Sequence, residues 1–373
     1  MAHGYTPGLR VTGSALIHRE RRLPLRGDVL AAVGDAVEPC TVVARTRLPG
    51  NVQTVNLAAR LAVDPAKVPE TLACPVGAAV RKGQPIATAR GLFGLARHTV
   101  AAPADGTIES VSRVTGQLIL REPPLPVEVC AYLRGVVTAV LPGEGVVVEA
   151  RGALVQGIFG VGGEAWGELV AAVESPGDEL TPYRLRPEHR GMVVVGGCHV
   201  SFDALARARE LGVAAVVAGG FDDADLRRLL GRDLGVAVTG SEEIGLTLVL
   251  TEGFGRIRMA ERTWELLAAR QGRLASVSGA TQIRAGVLRP EIIIPGGGEP
   301  AATHEESVAG LEVGSLLRVI REPWFGRIGK VVELPSELRR LDTEALVRVL
   351  VVRFVEGDAV AVVPRANVEI IAS

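Results

Sequence analysis

Hydrophobic residues along most of this chain recur at every second position in short runs that end at glycine or proline, a pattern typical of β-strands. One run is repeated: residues 33–37 read VGDAV and residues 76–80 read VGAAV, an offset of 76 − 33 = 43 residues. The register continues, because residues 43–44 align with 86–87. Each copy predicts a strand, a glycine that can adopt positive φ, and a second strand whose alternate side chains face a core. We therefore expect two similar β-units that pack together as a sandwich.

The repeated V-G-x-x-V motif, followed at residues 102–108 by A-P-A-D-G-T-I, resembles the barrel-sandwich hybrid fold of lipoyl and biotinyl domains over about residues 27–125. In the carrier members of that family, a lysine at the tip of an exposed hairpin receives the prosthetic group. The corresponding segment 87–100 contains no lysine, and Lys82 lies in an earlier turn. The resemblance therefore implies the fold without the swinging-arm function, and we expect no cofactor.

Residues 127–170 continue the β-pattern and contain the densest cluster of glycines in the chain, which includes Gly157, Gly160, Gly162 and Gly163. Backbone N–H groups of such a loop can approach a phosphate or a flavin ring. The segment matches neither a P-loop nor a complete dinucleotide-binding fingerprint, and a tight turn packed against a sheet explains the glycines equally well. We favour the turn and keep the four glycines as candidate ligand-binding residues.

From residue 191 the pattern changes to continuous apolar runs that alternate with amphipathic segments, which predicts a small parallel α/β unit over about 185–272. Ser201 and Gly212 are the expected caps of its first helix. A last helix is expected over about 258–270. The expected strands are 192–195, 213–218, 235–239 and 246–251.

In parallel sheets, ligands bind beyond the carboxyl ends of the strands, where this chain has Asp222, Asp223 and Ser241. These residue types suit a cation or a ribose, but acidic residues are also favoured in the first turn of a helix by capping and by the helix dipole. Cys198 beside His199 suggests a nucleophile and its base. Neighbours on a strand point to opposite sides, so no such dyad is expected.

A triple glycine within residues 296–309 predicts a linker, and residues 310–373 then predict a separate C-terminal module. Its first hairpin resembles the KOW motif over about 310–371, although Glu322-Pro323 replaces a glycine that is common in that family. The resemblance implies a small SH3-like β-barrel, of the type that ends the transcription elongation factor NusG, and contact with RNA or protein. The residues in register with the motif are Val319, Ile320, Phe325, Gly326, Gly329 and Val331.

This hairpin also concentrates positive charge, since residues 318–330 contain four bases and one acid, a local net charge of 4 − 1 = +3. Its two aromatic residues could stack on bases or dock to a protein. Alternatively, both rings plug the small barrel and the arginines are merely solvated. The candidate residues for binding RNA or a partner are Arg318, Arg321, Trp324, Phe325, Arg327 and Lys330.

Composition limits the remaining classes of function. The chain has 373 residues, 47% hydrophobic, with a formal net charge of −1, which argues against a chain-wide electrostatic contact with nucleic acid or membrane. Its four cysteines form no C-x-x-C motif, so neither a zinc nor an iron–sulfur site is expected. No apolar run approaches the roughly 20 residues of a membrane span, and we expect a cytoplasmic protein without membrane contact.

Together these patterns predict a multidomain, β-rich protein. Its parts are a barrel-sandwich hybrid at 1–126, a β-rich plus α/β domain at 127–295, a linker at 296–309 and a KOW-like barrel at 310–373. The leading hypothesis is a non-enzymatic binding or adaptor protein whose KOW-like domain contacts RNA, a ribonucleoprotein or a protein partner. The alternative is an enzyme or small-molecule sensor that binds a nucleotide-like ligand at the strand ends of the α/β unit.

Overall fold

The computed structural model describes most of the chain, and it is β-rich with several sheets, as the sequence predicts. Within that part of the chain, buried hydrophobic side chains form four separate clusters, which gives the multidomain-like organisation expected. The described residues are 9–90, 97–231, 242, 244–281, 288–296, 311–319, 323–324, 327–335, 337–340, 346–355 and 359–370.

The N-terminal part of the chain consists almost entirely of strands. Its elements are β1 (Val11–Arg22), β2 (Asp28–Val29), β3 (Ala36–Val37), β4 (Val42–Leu48), β5 (Val52–Asn56), α1 (Leu57–Leu61), a 3-10 helix (Pro65–Thr71), β6 (Ala79–Val80), β7 (Pro85–Arg90), β8 (Arg97–Ala101), β9 (Gly106–Val111), β10 (Gln117–Arg121), β11 (Leu125–Cys130), β12 (Gly135–Leu141) and β13 (Gly145–Gln156).

These strands form two copies of one arrangement, and the second copy is inserted within the first. In the first copy β13 pairs with β1 and β12, β12 pairs with β3, and β4 pairs with β11. In the second copy β10 pairs with β5 and β9, β9 pairs with β6, and β7 pairs with β8. Four equivalent antiparallel pairings therefore extend the 43-residue repeat well beyond the motif that reveals it.

The local hydrogen bonds of the two copies also match at the same offset. The Leu30 N–H donates to Val43 O, and the Ala73 N–H donates to Ile86 O. The turn glycines of the two motifs, Gly34 and Gly77, have φ of 95° and 89°. A glycine is required at these two turns because residues with a Cβ rarely adopt this conformation.

The two copies do not pack together as one sandwich, which differs from the expectation. Val37 and Val43 of the first copy lie in a core with Val137 and Val146. The second copy has its own core, in which every buried residue lies between Val55 and Leu120. Strand pairing explains the difference, because the first copy is completed by β11–β13, which follow the inserted copy in the chain.

The central part of the chain mixes strands with helices. Its elements are β14 (Phe159–Val161), β15 (Glu164–Ala171), β16 (Glu179–Leu180), 3-10 helices (Pro182–Arg184 and Pro187–His189), β17 (Val193–Val195), β18 (His199–Val200), α2 (Phe202–Leu211), β19 (Ala215–Phe221), α3 (Asp223–Leu230), β20 (Thr247–Phe254), α4 (Glu261–Ala268), β21 (Leu274–Ser278) and β22 (Glu291–Pro295).

β17, β19 and β20 pair in parallel, as the alternating pattern predicts, and β15, which precedes the range expected for this unit, also joins them in parallel. Ser201 caps the start of α2 through its side chain, and Gly212 ends the helix in the left-handed conformation. The expected strand at 235–239 lies outside the described residues. The parallel strands continue through β21 and β22 into β13 of the first copy, so the central unit and the first copy share one large sheet.

The C-terminal module is a single sheet with its own core. Its elements are β23 (Leu316–Val319), β24 (Ile328–Glu333), β25 (Leu338–Arg340), β26 (Leu346–Phe354), β27 (Val360–Pro364), a 3-10 helix (Arg365–Asn367) and β28 (Val368–Ile370). β23 and β24 form the expected antiparallel hairpin, and β26 joins β24 to β27. Most of the linker expected at 296–309 lies outside the described residues.

The inserted copy should fold on its own. Its core is self-contained, and its ends meet where the Glu122 N–H donates to Asn51 O at 2.9 Å. We expect a fragment of residues 49–124 to unfold in one cooperative transition in urea, followed by circular dichroism. A fragment that stays unfolded, or that loses structure gradually, would contradict this assignment.

Candidate functional site

Only part of the predicted cationic hairpin is on the surface of the C-terminal module. Lys330 on β24 is exposed, and it lies directly opposite exposed Arg353 on β26. Arg321 and Phe325 lie outside the described residues. The remaining three candidate residues, Arg318, Trp324 and Arg327, are held in contacts within the protein.

Arg318 is buried, which contradicts the expectation that it is free to bind a partner. Its Nη2 donates to Glu252 Oε2 at 2.9 Å, and the two side chains are 2% and 7% exposed. Glu252 lies near the end of β20 in the α/β unit, and its Oε1 accepts the N–H of Ala260 at the start of α4. The expectation was wrong because the sequence around Arg318 predicts an exposed strand position, whereas in the structure the α/β unit covers this side chain.

The predicted ring Trp324 is half-buried and contacts the small core of the module. Its ring centroid lies 5.1 Å from that of Phe354. The Arg327 guanidinium lies over both rings, 4.3 Å from the Phe354 centroid and 5.3 Å from the Trp324 centroid. The tryptophan thus packs against the core of the module, as in one part of the alternative that the sequence left open, whereas Arg318 and Arg327 are not merely solvated.

The strand register defines an outer face of the C-terminal sheet, on the side opposite its core. Leu316, Lys330, Arg353 and Val360 form one row across β23, β24, β26 and β27. The next row contains Glu333, Val351 and Val362. Arg318 lies two positions beyond Leu316 and so belongs to the same face. We call these eight residues the outer face. Arg353 was not anticipated, although its position between buried Val352 and Phe354 is the signal that could have identified it.

Of the four candidate glycines of the 157–163 segment, Gly160 lies in β14, and the other three lie in the short connections that join β14 to β13 and to β15. The Gly157 N–H donates to Pro290 O at 2.8 Å, and the Gly160 N–H donates to the Thr281 hydroxyl at 2.8 Å. A Cβ on Gly162 would lie 2.0 Å from Leu246 O, whereas a Cβ on Gly163 would meet nothing within 4 Å. Close backbone contact therefore explains the first three glycines, and positive φ also applies to Gly162 and Gly163.

At the carboxyl edge of the parallel strands, the structure assembles a charged group around a buried histidine. His199 is 2% exposed, and its Nδ1 lies 3.3 Å from Glu179 Oε1. On the other side, Nε2 lies 3.3 Å from Asp222 Oδ2, but the geometry forms no hydrogen bond and this buried nitrogen has no partner. Glu179 also forms an ion pair with Arg256. Sequence reasoning missed Glu179, which only the parallel pairing of β16 with β18 brings next to His199.

The other residues expected at this edge have different roles. Asp223 forms an ion pair with Arg227 at 2.5 Å, four residues along α3. Asp222 occupies the cap position of α3 without a side-chain capping bond, and Ser241 lies outside the described residues. Burial raises the pKa of the Cys198 thiol, and the Glu179 carboxylate raises that pKa further, so the thiol is not activated as a nucleophile.

The edge itself is covered by residues 255–259 of the same chain. The Ile257 N–H donates to Cys198 O, and the Gly255 N–H donates to Phe221 O. A Cβ on Gly219 would lie 2.2 Å from Ile257 O, and one on Gly220 would lie 2.0 Å from Gly255 O. These glycines therefore permit close packing of the chain at the position where a ligand of a parallel sheet would bind.

Within the described ranges, no group of three or more His, Cys, Asp or Glu side chains is placed to hold a metal ion. Glu179 and Asp222 contact opposite nitrogens of the His199 ring and so do not converge on a common point. No helix among the residues described has the length and apolar character needed to cross a membrane.

Comparison with known proteins adds no assignment. No protein-family model matches the chain, and no curated protein is significantly similar to it.

The Arg318–Glu252 contact can be tested by a double-mutant cycle in the full chain. Arg318→Met leaves a buried carboxylate without its counter-charge, so we expect a loss of about 3 to 5 kcal/mol in the free energy of unfolding. Adding Glu252→Gln to the Arg318→Met variant removes the unpaired charge and retains an acceptor for the Ala260 N–H. The double variant should therefore be more stable than Arg318→Met alone by about 2 kcal/mol, measured by urea unfolding.

The matched control is Arg348→Met, which removes an exposed arginine from the same module and should cost less than about 0.5 kcal/mol. Equal effects of Arg318→Met and Arg348→Met would show that the buried contact does not form.

The role of the glycine-rich segment can be tested with two single alanine substitutions at neighbouring positions. Gly162→Ala combines positive φ with a clash against Leu246 O, and we expect it to destabilise the protein by more than about 2 kcal/mol. Gly163→Ala has the same backbone cost but open space, and should cost about 1 kcal/mol. Thermal unfolding would measure both. Similar losses of stability in the two variants would argue against a packing role.

Proposed function

We propose that this is a non-enzymatic binding or adaptor protein whose C-terminal module contacts RNA, a ribonucleoprotein or a protein partner. One observation carries the proposal: exposed Lys330 and Arg353 lie side by side on the outer face, flanked by exposed Val360 and Val362. An anionic partner would contact the exposed Lys330 ammonium and would also cover the valines.

The fold assignments that the motifs imply belong to this proposal. The antiparallel hairpin of β23 and β24 supports a KOW-like, SH3-like barrel at residues 310–373, a module for binding RNA or protein. The two nested copies in the N-terminal part support barrel-sandwich hybrids that lack an acceptor lysine. We propose the cytoplasm as the compartment, because all four cysteines are free thiols and a reducing compartment would keep them so.

A second candidate is favoured by the unpaired Nε2 of His199 beside the half-exposed Asp222. An enzyme or sensor would bind a nucleotide-like ligand at this edge of the α/β unit. A thermal-shift screen with nucleotides, flavins and divalent metals tests it, because a ligand that binds only the folded state raises the melting temperature.

The adaptor function predicts binding that depends on the outer face. Wild-type protein should retain RNA on a filter, or proteins from a cell lysate on a resin, at about 50 mM salt. The double variant Lys330→Glu, Arg353→Glu should lose that retention, because it reverses the charge of the outer face. The matched control Lys67→Glu, Lys82→Glu reverses two charges on the inserted copy and should keep it. No retention by the wild type, or equal retention by both variants, would contradict the function.

A further inference from the structure

His199 combines almost complete burial with a ring nitrogen that has no hydrogen-bond partner. The residue is 2% exposed, and its Nε2 atom is the unpartnered one. Its other nitrogen, Nδ1, lies 3.3 Å from Glu179 Oε1. A carboxylate oxygen only accepts hydrogen bonds, so in the neutral ring Nδ1 carries the proton and Nε2 carries a lone pair. A buried polar atom of this kind requires an explanation, such as an ion.

The Asp222 carboxylate faces this lone pair. Its Oδ2 atom lies 3.3 Å from His199 Nε2 without forming a hydrogen bond. Asp222 also occupies the cap position of α3, where an aspartate side chain normally accepts a backbone N–H, but it makes no capping bond. Because a lone pair and a carboxylate oxygen are both acceptors, their close approach is unfavourable unless a cation lies between them.

The separation of these two atoms fits two ligands of one tetrahedral metal ion. Zinc lies about 2.0 to 2.1 Å from nitrogen and oxygen ligands, so two ligands of a tetrahedral ion lie about 3.3 to 3.4 Å apart. Adjacent ligands of an octahedral ion at about 2.1 Å lie only about 3.0 Å apart. Two ligands of one ion also lie off each other's lone-pair axes, whereas a shared proton needs a nearly linear arrangement.

Glu179 and Arg256 support the histidine from behind. Glu179 lies opposite His199 in the parallel pairing of β16 with β18. Arg256 Nη2 donates to Glu179 Oε1 at 3.1 Å, and its Nη1 lies 2.9 Å from Oε2. Metal-binding histidines typically donate their second N–H to a carboxylate, which orients the ring and raises its basicity. Arg256 balances the charge of Glu179, so the charge of Asp222 remains for a cation.

We propose that His199 Nε2 and Asp222 Oδ2 bind one divalent transition-metal ion of the zinc or cobalt type. Two protein ligands leave two positions of a tetrahedral ion for water or for an oxygen of an anionic ligand. These positions are reached from the side of Asp222, whose side chain is 50% exposed. The inference goes beyond the adaptor function, and it adds to the second candidate the cation that a nucleotide-like ligand would contact.

Titration of the full-length protein with Co²⁺, without an affinity tag, tests the site. Co²⁺ accepts the same types of ligand as Zn²⁺, and it absorbs visible light strongly only in tetrahedral coordination. We expect strong visible absorption that saturates at one ion per chain. No sulfur-to-metal charge-transfer band should appear in the near ultraviolet, because neither proposed ligand is one of the four cysteines.

Substitutions separate the ligands from their neighbours. Asp222→Asn removes one of two ligands and should weaken Co²⁺ binding at least about 100-fold, since loss of an outer partner alone costs about 10- to 100-fold. The matched control Asp223→Asn changes the next residue, which pairs with Arg227, and should bind Co²⁺ like the wild type. Thermal unfolding without added metal checks that both variants are folded.

Glu179→Gln tests the positioning role of the carboxylate behind the ring. We expect Co²⁺ binding about tenfold weaker, with the strong visible absorption retained at saturation, because Glu179 orients His199 and does not touch the ion. A loss of the visible absorption at saturating Co²⁺ would contradict this role.

Three results would overturn the metal site. The first is a wild type without strong visible absorption, and the second is a charge-transfer band that places the ion on a cysteine. The third is an equal effect of Asp222→Asn and Asp223→Asn on Co²⁺ binding. If the metal site fails, a nucleotide that still raises the melting temperature in the presence of a chelator would keep the second candidate. The RNA and lysate assays of the outer face test the adaptor function separately.

Discussion

Arg318 and Glu252 come from two modules, 66 residues apart in sequence, and their charges meet almost without contact with water. Taking two such charges out of water costs several kcal/mol per ion, so the contact persists only where its geometry is accurate. The Glu252 carboxylate also accepts the Ala260 N–H and thereby links the end of β20, the start of α4 and β23 at one point. This contact fixes which end of the outer face is covered by the α/β unit.

The same contact explains how far the site could be predicted from sequence. A count of +3 over the hairpin treats its cations as equivalent, yet the structure separates them. Arg318 is neutralised by another module, Arg327 lies over the rings of its own core, and Lys330 remains exposed. Local pattern finds the hairpin, because strand periodicity and turn residues act over a few positions. It cannot find Glu252, Arg353 or Glu179 as neighbours, since each is brought there by strands distant in the chain.

The N-terminal part shows the same limit at the level of the fold. The 43-residue repeat was predictable, because the turns at Gly34 and Gly77 require glycine whatever surrounds them. The separation into two cores was not predictable, since β4 must pair with β11 across the entire inserted copy. Such long-range pairing leaves no periodic signal in the sequence. β4 and β11 nevertheless pair, with Leu48 opposite Leu125, and this pairing is the equivalent in the first copy of the pairing between β7 and β8 in the second.

Glycine-rich segments need a further distinction, because a phosphate-binding loop and two closely packed backbones both exclude a Cβ. Gly162, Gly219 and Gly220 each face a carbonyl oxygen of this chain within 2.2 Å of the position of a Cβ. Close contacts within the protein therefore explain why glycine occupies these three positions. Residues 255–259 occupy the edge of the sheet where a ligand would bind. What remains there is His199, held between Glu179 and Asp222 with one nitrogen unpaired. Lys330, by contrast, is exposed in the described part of the C-terminal module, and for this reason the outer face carries the stronger functional argument.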